Sequence, residues 1–131
     1  MVLVSITRVS FVHTETVRFR DLDSMGHMNN AVYATFLEQA RLAFLEQHGA
    51  HVHNMILARI EIDFRSPAEF GETIDIAVTP TRVGTKSFDL EYVMRAAERV
   101  VAEAKTVLVA YDYAEARSVE IPDEWKERLA A

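Results

Sequence analysis

The 131-residue sequence has no cysteine. That absence excludes a disulfide framework, a thiolate zinc site, an iron–sulfur cluster and a cysteine nucleophile, so any catalyst in the chain uses other groups. It also suits a reducing compartment. Long apolar runs are missing too: no segment approaches the roughly 18 consecutive apolar residues of a membrane span. The mildly apolar start, "MVLVSITRVSFVHTETV", is interrupted by Arg8 and has no small-residue cleavage site behind an unbroken run, so it reads as a lead-in to a strand. A cytoplasmic chain with no membrane partner is the expectation. Positive charge is in deficit, with 14 Lys and Arg against 20 Asp and Glu and a net charge of −6. The cations are scattered, which argues against a nucleic-acid partner but leaves room for a few of them to bind a phosphate.

What is present reads as one soluble domain over residues 1–131. Apolar residues make up 50% and charged residues 26%, ordinary globular values in a chain long enough to bury a core unaided. "TETVRFRDLD" (14–23) alternates loosely and predicts a half-buried strand. From Asn30 the period changes: Tyr33, Phe36, Leu37, Ala40 and Phe44 recur at helical spacing, ending at Gly49 behind His48. Leu42, Ala43 and Leu45 widen the apolar arc, which predicts a largely enclosed helix.

Strand patterns follow over 56–64, 73–81, 87–95 and 99–113. In the first of these, Ile56, Ala58, Ile60, Ile62 and Phe64 share a face. "RSPAEFG" (65–71) is the one substantial connection, and "RVGTK" (82–86) reads as a hairpin turn with Gly84 at a position that commonly needs positive φ. "IPDEWKERLAA" predicts a short terminal helix with Pro122 near its first turn. The class is therefore α+β, with about five antiparallel strands and one long central helix.

Chemistry concentrates in "DLDSMGHMNNAVY" (21–33), between the first strand and that helix. A helix start offers unpaired N–H groups and the positive end of a dipole, so amides near Asn29, Asn30 and Ala31 suit an oxyanion. Asp23 stands just before the turn, and Gly26 lets the backbone come close to a ligand. An ionised Asp can attack an acyl carbonyl or take a proton from an attacking water, and a thioester, with its electrophilic carbonyl and good leaving group, suits so weak a base. Turn chemistry alone also explains Asp-X-X-Gly before a helix, and spacing does not decide between the two.

The segment "RFRDLDSMGHMNNAVYATFLEQARLAFLEQHG" resembles the hallmark of the hotdog-fold acyl thioesterases, in the hydroxybenzoyl-CoA thioesterase-like branch. The matching positions are Asp21, Asp23, Gly26, His27, Asn29, Asn30, Tyr33, Glu38 and Arg41. The resemblance implies a curved sheet wrapped around the helix and a homodimer or homotetramer with its sites between subunits. It implies a cofactor-free hydrolase of fatty or aromatic acyl-CoA thioesters. Asp23 would be the catalytic carboxylate, with His27 and Asn30 beside it, and Gly26, Asn29 and Tyr33 would meet the substrate. Arg82, Lys86 and Ser87 match a region that contacts coenzyme A, often from the neighbouring subunit. "HMNN" is also similar to plant acyl-carrier-protein thioesterases, but Met25 stands where their Asn would be. Carrier-protein substrates, a non-catalytic acyl-thioester binding module and hydration of enoyl thioesters are the other readings.

The remaining candidates read as structural. Asp21 is a turn-stabilising acceptor, since two ionised carboxylates so close oppose each other's charge. Glu38 and Arg41, at i and i+3, are expected to pair on the helix. His48, His51 and His53 have no cysteine or fixed carboxylate beside them, and no metal site is expected there.

Overall fold

The computed structural model describes residues 11–49 and 54–130. A strand β1 (Phe11–Thr16) leads through a 3-10 turn (Phe19–Asp21) into helix α1 (Asn30–Gln47). Strands β2 (Met55–Phe64), β3 (Thr73–Val83), β4 (Ser87–Ala96) and β5 (Arg99–Asp112) follow, then the two-residue β6 (Arg117–Ser118) and helix α2 (Asp123–Ala130). The sheet runs β1-β3-β4-β5-β2, with β6 beside β5, and every pairing is antiparallel. This is the expected α+β architecture, one sheet against one long helix.

The core forms because the period-2 rows of the strands meet the period-3.6 stripe of α1. Ile74, Ile76 and Val78 of β3 and Phe88, Leu90 and Met94 of β4 are fully buried against Phe36, Leu37, Ala40 and Phe44. At the far end α2 buries Trp125 and Leu129, and its Arg128 donates to the His48 carbonyl at 2.9 Å, which closes the C-terminus of α1. No helix among the described residues is long and apolar enough to cross a membrane.

Four local expectations are corrected. The first strand ends at Thr16, because Asp21 turns back to accept the Arg18 N–H at 2.8 Å and the Arg18 side chain at 3.0 and 3.2 Å. Phe19 is consequently 77% exposed rather than in a strand face. In β2 a bulge between Leu57 and Arg59 resets the alternation, so Leu57, Ile60, Ile62 and Phe64 share the helix-facing side while Ile56 joins Arg59 on the other. Helix α1 is covered on one side only, with Glu38, Gln39 and Leu42 exposed. Gly84 is not in the left-handed region; a side chain there would instead meet the Arg82 guanidinium and the Ser87 carbonyl.

Burial alone would raise the Asp21 carboxyl, but the hydrogen bonds and charge of Arg18 hold it below the ordinary aspartate value. A lowered native pKa means that the stabilisation is complete above the ordinary aspartate range and is lost as pH falls toward the lowered value. Asp21→Asn is expected to cost about 1 kcal/mol at neutral pH, since the Arg18 side chain is half-exposed and screened. It should also flatten the fall in melting temperature across acid pH, and an unchanged acid limb would deny Asp21 this role.

Candidate active site

The loop between the 3-10 turn and α1 is folded around its own carboxylate. Asp23 Oδ1 accepts from the N–H of Met25 at 2.9 Å and of His27 at 3.3 Å. The main chain closes the turn, with Asp23 N–H donating to the His27 carbonyl at 2.8 Å and Gly26 N–H to the Asp23 carbonyl at 3.1 Å. Gly26 supplies the positive φ, +82°, that this tight return demands. Asp23 Oδ2 is left without a hydrogen bond among the described residues. Turn chemistry and reactive chemistry therefore coexist in one side chain, one oxygen for each.

Asn29 caps the helix, its Oδ1 accepting from Ala31 N–H at 2.9 Å. Its own N–H donates to the Asp21 carbonyl at 2.9 Å, and Val32 N–H donates to the Asn29 carbonyl at 2.9 Å. Of the amides that open the helix, those of Asn29, Ala31 and Val32 are thus occupied, which leaves the Asn30 N–H available to a ligand. Tyr33, one turn on, is buried and accepts at its hydroxyl from Ala68 N–H at 3.3 Å. Burial pushes this phenol above its usual value. Its ring meets Phe64 edge-on at 5.0 Å.

These groups open on one cleft of about 320 Å³, lined by Asp23, Met25, His27, Met28, Asn30 and Tyr33 on one side and Phe64, Arg65, Ser66 and Pro67 on the other. Asp23, His27, Asn30 and Tyr33, singled out from the sequence, come together here; Gly26 and Asn29 shape the loop beside it. Residues 64–67 were legible only as a strand end and a connection. Their side of the cleft arises because Met28 N–H donates to the Ala68 carbonyl at 2.8 Å, a pairing distant in sequence.

Arg82, Lys86 and Ser87 stand elsewhere. They belong to the β3–β4 hairpin, whereas Asp23 follows the β1 end that pairs Thr16 with Thr73 at the start of β3. Over the 11 residues of β3, at about 3.3 Å each, the two places lie on the order of 30 Å apart within one chain. Arg82 is occupied by Ser87 Oγ at 2.7 Å and Asp89 Oδ1 at 2.8 Å. The expected Glu38–Arg41 pair is not formed: Glu38 is exposed and Arg41 is buried beneath the helix. His48 is bonded through Nδ1 to the Phe44 carbonyl at 2.8 Å, and His51 and His53 lie outside the described residues.

The model of the thioesterase-like superfamily matches residues 17–129 of the chain. Among curated proteins the chain is 28% identical over 124 residues to a 1,4-dihydroxy-2-naphthoyl-CoA hydrolase of Nostoc punctiforme, covering 88% of this chain and 84% of that protein. It is 31% identical over 121 residues to the long-chain acyl-CoA thioesterase FadM of Escherichia coli, covering 86% and 92%. Among solved structures, a thioesterase from Thermus thermophilus complexed with coenzyme A and zinc superimposes with a TM-score of 0.83 at 30% identity, over 90% of each chain.

The loop geometry makes two stability predictions. Asn29→Ala removes the cap and is expected to cost about 1 kcal/mol in chemical denaturation, while Asn29→Ser, itself a good cap, loses little. At Gly26 no atom lies within 4 Å of an added Cβ, so Gly26→Ala isolates the left-handed strain, about 1–2 kcal/mol, and Gly26→Asn costs less. Equal losses for Ala and Asn at Gly26 would contradict a purely backbone origin.

Proposed function

The chain belongs to the thioesterase-like superfamily, and from that premise we propose that it hydrolyses acyl-coenzyme A thioesters in the cleft between Asp23 and the start of α1. One observation carries the assignment of roles: an uncommitted carboxylate oxygen on Asp23 and an uncommitted N–H on Asn30 share that cleft. The thioester carbonyl oxygen sits against the Asn30 N–H, where the positive helix end stabilises the charge that develops on it.

Asp23 Oδ2 then acts in one of two ways. As nucleophile it bonds to the carbonyl carbon, the C–S bond breaks, the thiolate takes a proton from water, and a second water cleaves the mixed anhydride to restore the carboxylate. As general base it takes a proton from the attacking water and passes it to the departing thiolate. Single turnover in oxygen-labelled water separates the routes: a directly attacking water places its label in the acid product, whereas an anhydride opened at the Asp23 carboxyl carbon leaves the label in Asp23 and releases an unlabelled acid. His27 lies against the cleft and lends its N–H to Asp23 Oδ1. Neither route needs a metal or an organic cofactor.

The working form in this reading is a homo-oligomer. Strand β2 is a sheet edge whose helix-facing row is open, with Leu57 42%, Ile60 38% and Phe64 48% exposed. Such an edge invites pairing with a second copy. Antiparallel pairing of two β2 edges turns one sheet end for end. It carries the partner's hairpin, with its Arg82, Lys86 and Ser87 positions, toward the cleft end, where those groups can meet the phosphates of coenzyme A.

Thiol release from acetyl- to palmitoyl-CoA and from aromatic acyl-CoAs tests the assignment. Asp23→Asn is expected to lower kcat by about 10²–10⁴ with the substrate still bound. Full turnover by that variant would remove Asp23 from the mechanism. Tight binding of acyl-CoA with no hydrolysis by the wild type would make the protein a binding module instead.

A further inference from the structure

Arg41 is the one buried side chain with an unused polar atom among the described residues. It is 6% exposed, and its Nη1 has no hydrogen-bond partner. The guanidinium lies near the Tyr92 hydroxyl, which bonds Thr106 Oγ1 at 2.7 Å. Both hydroxyls are neutral, and no carboxylate among the described residues pairs with Arg41. A guanidinium does not give up its proton near neutral pH, and a buried charge is strongly unfavourable unless an anion meets it.

The fold connects this cation to the cleft. Tyr33, Leu37 and Arg41 follow one another at four-residue steps along one stripe of α1, two turns or about 12 Å. Tyr33 touches Phe64, the last residue of β2. From there the helix-facing row of β2 runs back through Ile62 to Ile60, about 13 Å. Between stripe and row lies β5, where Phe64 pairs with Ala102, Ile62 with Ala104 and Ile60 with Thr106. The strip is thus apolar and floored by small residues, and its β2 side is exposed at Ile60 and Phe64. It begins at the cleft of Asp23 and Asn30; toward its far end Leu37, Arg41, Tyr92 and Thr106 are packed closed, so that an acyl group reaching Arg41 has to part them.

We propose that this strip takes the acyl group and that Arg41 binds a carboxylate at its far end, so that the preferred substrates are thioesters of medium-length dicarboxylic acids. The inference rests on the thioesterase reading for the position of the carbonyl. From Asn30 to Arg41 is 11 residues, and the Arg41 side chain leans back toward the helix start, which places the guanidinium on the order of 12 Å from the carbonyl site. A carboxylate there supplies the missing negative charge and an acceptor for Nη1. The methyl end of a plain fatty acyl chain leaves both unmet, and sites built for a polar group reject analogues that lack it. A second copy closing the β2 side would turn the strip into a tunnel without changing its two ends.

The test compares suberyl- and sebacyl-CoA with octanoyl- and decanoyl-CoA. The wild type is expected to favour the dicarboxylic member of each pair by about tenfold or more in kcat/KM. Arg41→Met should abolish that preference and Arg41→Lys should keep part of it. A wild type that treats the pairs alike, or favours the plain chains, overturns the proposal without any variant having to fold. So does an Arg41→Met protein that loses its oligomeric state while keeping the preference, because the guanidinium would then serve a second copy. Calorimetry with Asp23→Asn reads binding apart from turnover. Tighter binding of suberyl- than octanoyl-CoA, in a protein whose wild type hydrolyses neither, would sustain the strip and overturn the thioesterase reading; hydrolysis without preference would do the reverse.

Discussion

Arg99 donates from Nη2 to both carboxylate oxygens of Glu72, at 2.7 and 3.0 Å, and to the Pro67 carbonyl at 3.1 Å, while its Nε reaches Ser66 Oγ at 3.2 Å. One planar fork therefore ties down three points of the 65–72 connection, a segment that would otherwise be a loop free to wander. Glu72 is held below its usual pKa chiefly by that hydrogen bond, so the clamp stays charged through the neutral range. The connection then passes its position on. Its Ala68 carbonyl accepts from the Met28 N–H, and its Ala68 N–H donates to the Tyr33 hydroxyl. Gly71 N–H and the Glu72 carbonyl bracket Val17 at 2.9 Å each. The wall of the cleft, the loop that carries Asp23 and the first turn of the helix are all referenced to one arginine at the start of β5.

Two carboxylates two residues apart could have competed for one environment, and the local fold separates them. Asp21 faces inward and is saturated by Arg18, which removes it from the cleft. Asp23 faces the cleft and commits only one oxygen to backbone amides. The amides of the helix start are divided in the same way, three occupied within the protein and one left open. Such partial satisfaction is stable only at a surface or in a ligand site, where water or substrate completes it.

The parts of the architecture set by local chemistry could be read from the sequence. The helix was bounded by a cap at Asn29 or Asn30 and by Gly49, the strands by their alternation and the turn by Gly26, because each signal lies within a few residues of its effect. Errors arose where a distant or unusual partner decided the outcome. Arg18 and Asp21 ended the first strand early, although "TVRFRDLD" alternates. The bulge at residue 58 exchanged the faces of half of β2, which no periodicity count registers. Glu38 and Arg41 have the spacing of a helix pair, yet the hydroxyl of Tyr92, 51 positions further along, lies closer to what Arg41 needs. For the same reason the far wall of the cleft, residues 64–67, was recognisable as structure but not as site.

The two polar ends of the proposed strip are joined by a single helix. Asn30 and Arg41 lie on one continuous helix, so their separation cannot adjust to a substrate as a loop-borne pair could. Its length is fixed further at both ends, by the Asn29 cap and by Arg128 on the His48 carbonyl. The opposite wall is different in kind. Strand β2 has a neighbour on one side only and an irregular register at residue 58. In the proposed site, selection by chain length would rest on α1, and tolerance for bulkier acyl groups on β2 and whatever closes over it.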